Sequence, residues 1–233
     1  MSLIVALIIS GRFFYLIANK LKKYSVAFYV AFYAMILAMI SINALGYYKK
    51  LSPIAKFFVD VVQRGALSTA IFTIVMFTGV FTRPNVVSKR FFKIRGEMSI
   101  IGCFMTLTHN IIFGVVYFVN FFKRPNFMPL KIQMAAILSM ILIAIMLPLF
   151  ITSFKCVKKK MKAKVWKRIQ RLAYPFYILI YVHVMLLFSM NVEKNKLSIL
   201  VYTFVYVCYV VLRLRKYILS KLNRKKNKLQ LES

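Results

Sequence analysis

The 233 residues are 61% hydrophobic and carry 35 Lys and Arg against four Asp and Glu, a formal charge of +31 with a mean hydropathy of +0.74. That apolar content is far above a soluble domain's, and the charge lies in short runs between long apolar stretches rather than on one polar face, which speaks against nucleic-acid binding and for a membrane protein. With only Asp60, Glu97, Glu193 and Glu232 acidic, all read in or beside loops, paired-carboxylate catalysis has no support; Cys103, Cys156 and Cys208, lacking any CxxC spacing, give neither a thiolate zinc site nor covalent haem attachment.

The first apolar segment, residues 2–19, is short and holds Arg12 near its middle; with no positive region before it and no small-residue cleavage site after it, it reads as a retained helix. A second, residues 26–47, meets the roughly 20 residues that a helix needs to cross a hydrocarbon core. Residues 49–64, broken by Pro53 and Asp60, read as a polar connector that can lie amphipathically at the interface. The third span, 65–82, stops at Arg83-Pro84, since proline disfavours helix before it. A fourth, 97–122, contains His109, and a fifth, 132–154, is open to a kink at Pro148. A dense basic loop, 155–171, leads to a sixth, 172–190, with His183, and a seventh covers 197–212. The expected fold is all-α: a multi-span transmembrane helical bundle of six core helices plus an extra N-terminal helix. Residues 1–24 form the extra segment, 25–212 the helical domain, and 213–233 a basic cytoplasmic tail with a disordered end.

Placing the loops alternately on two sides puts most of the basic residues on one of them, including residues 20–23, 83–95, 155–171 and the tail. Positive charge marks the cytoplasmic side, so the N-terminus is expected outside and the C-terminus inside a bacterial cytoplasmic membrane, with anionic lipid headgroups as partners of the inner face.

His109 and His183 are the only two histidines. Each lies twelve residues beyond its span's basic boundary, Glu97 in one case and Arg171 in the other, hence roughly 18 Å along a helix of 1.5 Å rise. Two parallel spans thus present imidazoles at matched depth, as a bis-histidine haem requires. The same spacing also suits interhelical hydrogen bonding, with Thr106, Thr108 or Asn110 nearby, or a proton path.

The segment Thr152-Ser153, the basic run after it, Trp166-Lys167-Arg168-Ile169-Gln170-Arg171-Leu172-Ala173-Tyr174 and then His183 resembles the ferric reductase-like transmembrane family, which includes the membrane core of NADPH oxidases and the haem-binding partner of the bacterial periplasmic methionine sulfoxide reductase. Arg95 through His109 is similar too. The likeness covers residues 65–212, and if the first segment is an extra, His109 and His183 fall on the third and fifth spans, as in the family. Members commonly carry a second histidine on each of these helices, 13 or 14 residues nearer the cytoplasm; here those places are Gln170 and the Arg95-Gly96 neighbourhood.

The resemblance therefore implies one haem b, with His109 and His183 as axial ligands to its iron. It further implies an oxidoreductase membrane subunit in which electrons pass outward from a quinol or a separate flavoprotein, with quinone or FMN as a partner's cofactor, to an outer-side acceptor. No attached flavin and nicotinamide domain is expected, and these residues hold no Gly-rich dinucleotide fingerprint. The rival expectation is a haem-free transporter or accessory subunit using the same bundle. Arg12 is left with three roles: snorkelling, meeting a haem propionate or facing a partner subunit.

Overall fold

The structure is a computed structural model whose described residues are 2–81 and 85–231, apart from the side chains of 224–229 and 231. Its helices are α1 (Ser2–Lys23), α2 (Ser25–Ala44), α3 (Pro53–Gln63), α4 (Ala66–Phe77), α5 (Val86–Lys93), α6 (Arg95–His109), α7 (Val115–Lys123), α8 (Leu130–Ser153), α9 (Lys155–Lys160), α10 (Ala163–Gln170), α11 (Ala173–Phe188) and α12 (Val192–Leu231); no strand occurs among the described residues. Six stretches are long and apolar enough to cross a membrane: α1, α2, α6 with α7, α8, α10 with α11, and α12 to Asn223; α3 and α4 together make a further, bent one. The bundle is all-α, as the apolar spacing predicts.

α4 is the helix on which the others assemble. In a bilayer the apolar environment gives helices little reason to associate, so close packing through small residues takes over. Ala66, Ser68, Thr69, Ala70 and Thr73 of α4 are all buried. Their hydroxyls cost nothing unpaired, because Thr69 donates to the Gly65 carbonyl at 2.9 Å and Thr73 to that of Thr69 at 2.8 Å. On one side, Phe14, Ala18 and Leu21 of α1 pack with Ile71 of α4 and Met98, Ile101 and Met105 of α6. On the other, Phe72 of α4 meets Phe176 edge to face at 5.2 Å. Tyr177 of α11 donates to Thr73 at 3.0 Å and stacks on Tyr206 of α12 at 4.3 Å between centroids.

Residues 1–24 were open as to their place. α1 buries the stripe Leu3, Ala6, Ser10, Phe14, Ala18 and Leu21, three or four residues apart, while Arg12 is on the exposed opposite face.

Three parts differ from the sequence reading. Residues 53–63, within the stretch read as a connector, form a helix: Ser52 caps α3 by accepting from Ala55 N–H at 3.3 Å, Pro53 occupies the first turn, and α3 leads into α4 through a bend of 51°. The basic loop 155–171 contains α9 and α10. The tail is helical through Leu231, so α12 has 40 residues, roughly 60 Å against a hydrocarbon core of about 30 Å. The stop assigned to Arg83-Pro84 lies outside the described residues.

Glu97, expected beside a loop, is 3% exposed. Its carboxylate meets Lys155 Nζ at 2.9 Å and Lys22 Nζ at 3.5 Å, tying α6 to the start of α9 and the end of α1. Both lysines are half exposed, which screens the pairs. Glu97→Gln is expected to cost about 1–2 kcal/mol and to lower the thermal unfolding midpoint in detergent; an unchanged midpoint would mean that solvent already cancels the pairing.

Candidate functional site

The bend between α3 and α4 builds the site. Gly65, at φ 80°, takes a backbone conformation that a side chain would strain. In an unbroken helix the Gln63 carbonyl would accept from residue 67; here it lies 2.9 Å from His109 Nδ1. A carbonyl can only accept, so Nδ1 of the neutral imidazole carries the proton and Nε2 keeps the lone pair. A main-chain acceptor of this kind orients a ligating histidine and raises its basicity.

His109 ends α6, and the chain runs on into α7 through a π-helical turn, Asn110–Gly114. Such widened turns concentrate at functional sites because they re-aim the residues beside them. His183 projects from α11, with Nδ1 3.4 Å from Ser139 Oγ of α8.

The structure brings the two histidines together. Both line a cavity of about 120 Å³ between α4, α6, α8, α11 and α12, partly open to the surroundings. Phe72, Leu142, Met146, Phe176 and Ile180 supply an apolar wall, and Arg64, Ser68, Thr69 and Asn110 supply polar groups. That volume is below the roughly 300–1,000 Å³ typical of small-molecule and cofactor sites, so a group the size of haem would need the surrounding helices to move apart. Arg64 Nε pairs with Asp60 at 3.1 Å, and Asp60 accepts from the Tyr48 hydroxyl at 2.7 Å. That hydrogen bond raises the Tyr48 pKa above the ordinary phenol value. Arg12 is not among the residues lining this cavity.

Among the described residues no three His, Cys, Asp or Glu side chains gather as for a bare metal ion. A haem asks less of the protein, two axial ligands and an apolar slot, and that donor set is present in the histidine pair.

A second cavity, of about 270 Å³, lies toward the basic end of the bundle and shares Phe72, Met146 and Phe176 with the first. It is lined by Arg95, Gln170 and Trp166, the region where the family's second histidine pair would stand. Gln170 is committed elsewhere: its amide donates to Thr152 Oγ1 at 3.0 Å, while Trp166 Nε1 donates to the Thr152 carbonyl at 3.0 Å. These two residues, one turn apart on α10, fasten it to the end of α8.

Sequence reasoning missed the Gln63 carbonyl and the Gly65 break. The available signal was the Ser52-Pro53 cap together with Lys56, Asp60 and Arg64 at intervals of four, a polar stripe of one helix.

Residues 64–181, half of the chain, match the family described as ferric reductase like transmembrane component. This match begins at the bend before α4 and ends two residues before His183. An uncharacterized protein from Treponema pallidum (strain Nichols) is 37% identical over 155 residues, which are 65% of this chain and 43% of that protein, so the chain spans less than half of that relative's length. No solved structure matches. With its six long apolar helices, the chain is a multi-pass membrane protein and belongs to the ferric reductase-like transmembrane family.

Proposed function

We propose that this protein is a membrane subunit of an oxidoreductase that moves electrons across the bilayer through one b-type haem with His109 and His183 as axial ligands. The family points to membrane electron transfer. The observation that carries the finer reading is the cavity shared by the only two histidines, with His109 Nε2 left free by the Gln63 carbonyl. Bound there, haem would supply a one-electron iron couple.

The chain's own residues do the rest. His109 and His183 offer neutral nitrogens from α6 and α11. Phe72, Leu142, Met146, Phe176 and Ile180 exclude water and favour an apolar macrocycle. Arg64 at the polar part of the cavity suits the carboxylates such a group carries. The basic end of the bundle is the cytoplasmic side of the cell membrane in this reading, with the N-terminus outside. The donor is then a quinol or a flavoprotein on that side and the acceptor lies outside.

The rival, a haem-free transporter or accessory subunit, draws on the Ser139 contact of His183, which an interhelical hydrogen bond would also explain. The two readings separate in an optical spectrum of detergent-purified protein, oxidised and then dithionite-reduced, with haem quantified against protein. The expected result is a sharp reduced b-type spectrum at one haem per chain. Haem-free protein after expression with abundant haem supply would overturn the proposal.

A further inference from the structure

The cavity toward the basic end gathers four basic residues in its lining with no carboxylate among them. At that end Lys22 and Lys155 share Glu97, and Lys216 donates to the Gly79 carbonyl at 2.8 Å and that of Phe81 at 3.1 Å. Arg95, Lys167, Arg171 and Arg213 all line the cavity, and no acidic residue does.

Arg95, half-buried at the start of α6, makes no side-chain hydrogen bond or ion pair among the described residues; its guanidinium lies 5.2 Å from the Phe92 ring centroid. Lys167 and Arg171 likewise have no ion pair there. Arg213 is held in place, 4.5 Å from the Tyr174 ring centroid and donating to the Tyr174 hydroxyl at 2.5 Å and, at 3.4 Å, to the Gly79 carbonyl. The same cavity is lined by Phe72, Val75, Met76, Met146, Leu149 and Phe176, which carry no charge.

Four cations around one space with no carboxylate among them favour an anion there, and the half-buried Arg95 guanidinium has only the Phe92 ring to offset its lost solvation. Arginine forks match the oxygens of a phosphoryl group, which can accept from several donors at once. An apolar share of the same lining asks for a hydrocarbon body on the same molecule.

We propose that this cavity is a binding site for a phosphate-bearing amphiphile, its phosphoryl group among Arg95, Lys167, Arg171 and Arg213 and its apolar part against the Phe72–Phe176 wall. An anionic phospholipid from the bilayer and a water-soluble phosphate ester with an apolar body have this chemistry in common. The site does not depend on haem in the neighbouring cavity.

The test uses full-length protein in nanodiscs of phosphatidylglycerol and phosphatidylcholine, extracted into neutral detergent and analysed by native mass spectrometry. One phosphatidylglycerol retained per chain is expected. In Arg95→Gln and in Arg171→Gln retention falls roughly fivefold, the equivalent of about 1 kcal/mol for a basic residue facing an anionic lipid. Lys164→Gln removes the same charge from α10 outside the cavity lining and is expected to retain the lipid. Arg171 is exposed, so its variant is readable even if Arg95→Gln fails to fold.

Adding inorganic phosphate distinguishes the sources: a lipid that stays bound assigns the site to the bilayer, and displacement by phosphate assigns it to a soluble phosphate ester. Either outcome supports the phosphoryl site. Equal retention in all variants, equal loss in Lys164→Gln, or no retained phosphatidylglycerol in the parent protein would overturn it. Because the readout is ligand mass, it stands whether or not the optical spectrum shows haem.

Discussion

His109→Ala and His183→Ala are each expected to abolish the low-spin haem spectrum, with haem content falling at least about tenfold, the lower end of what the loss of even a supporting group costs a metal site. One imidazole cannot fill both axial positions, and within the cavity the remaining lining residues offer no second nitrogen of that kind. A companion variant makes the result specific. Gln63→Ala removes the side chain and keeps the main-chain carbonyl that accepts from His109 Nδ1 at 2.9 Å, so it is expected to retain the spectrum. Loss in both histidine variants with retention in Gln63→Ala would assign the axial role to the imidazoles and the orienting role to the backbone. An unchanged spectrum in both histidine variants would remove the assignment.

Gly102→Val should give the second large effect, and here the cause is packing. A Cβ on Gly102 would meet Phe72 Cε1 at 3.0 Å and Ile71 Cγ2 at 3.2 Å, closer than ordinary van der Waals contact, and valine adds two further methyl groups. Overpacking of this kind costs about 1–3 kcal/mol. Phe72 also forms part of the wall common to both cavities, so the displaced ring would enter one of them. The expected outcome is a lower unfolding midpoint in detergent, by about 2–4 °C per kcal/mol for a chain of this size, accompanied by reduced haem content. Gly11→Ala is the contrast: its new Cβ would find only Ile74 Cδ1, at 4.0 Å, and little change is expected. Similar loss in both variants would show that glycine at either site serves something other than close approach.

Much of the architecture was legible because a bilayer makes simple demands on sequence. Long apolar runs gave the helices, and the boundaries at Glu97 and Arg171 set the expectation of a common depth for both histidines, which line one cavity. What stayed hidden was local. Lys56, Asp60 and Arg64 lowered the hydropathy of residues 53–63 enough to resemble a connector, although their spacing marks one face of α3. The orienting group of His109 is a backbone carbonyl, and no residue type announces it. The burial of Glu97 could not be read because its partners, Lys22 and Lys155, lie on other segments. In the tail, abundant lysine suggested disorder, yet Leu214, Tyr217, Ile218 and Leu222 keep apolar residues at helical spacing, and α12 continues through them.

Arg12 bears on how the bundle is made. It stands at the middle of α1, on the face turned away from α4, and an arginine at a span's centre opposes membrane insertion by about 2.5–3.5 kcal/mol. α2 follows after Tyr24 alone and is the more apolar of the two, with a mean hydropathy of 2.1 against 1.8. The pair is thus suited to enter the bilayer as one hairpin, in which the second helix carries the first past a step that α1 is poorly equipped to take by itself.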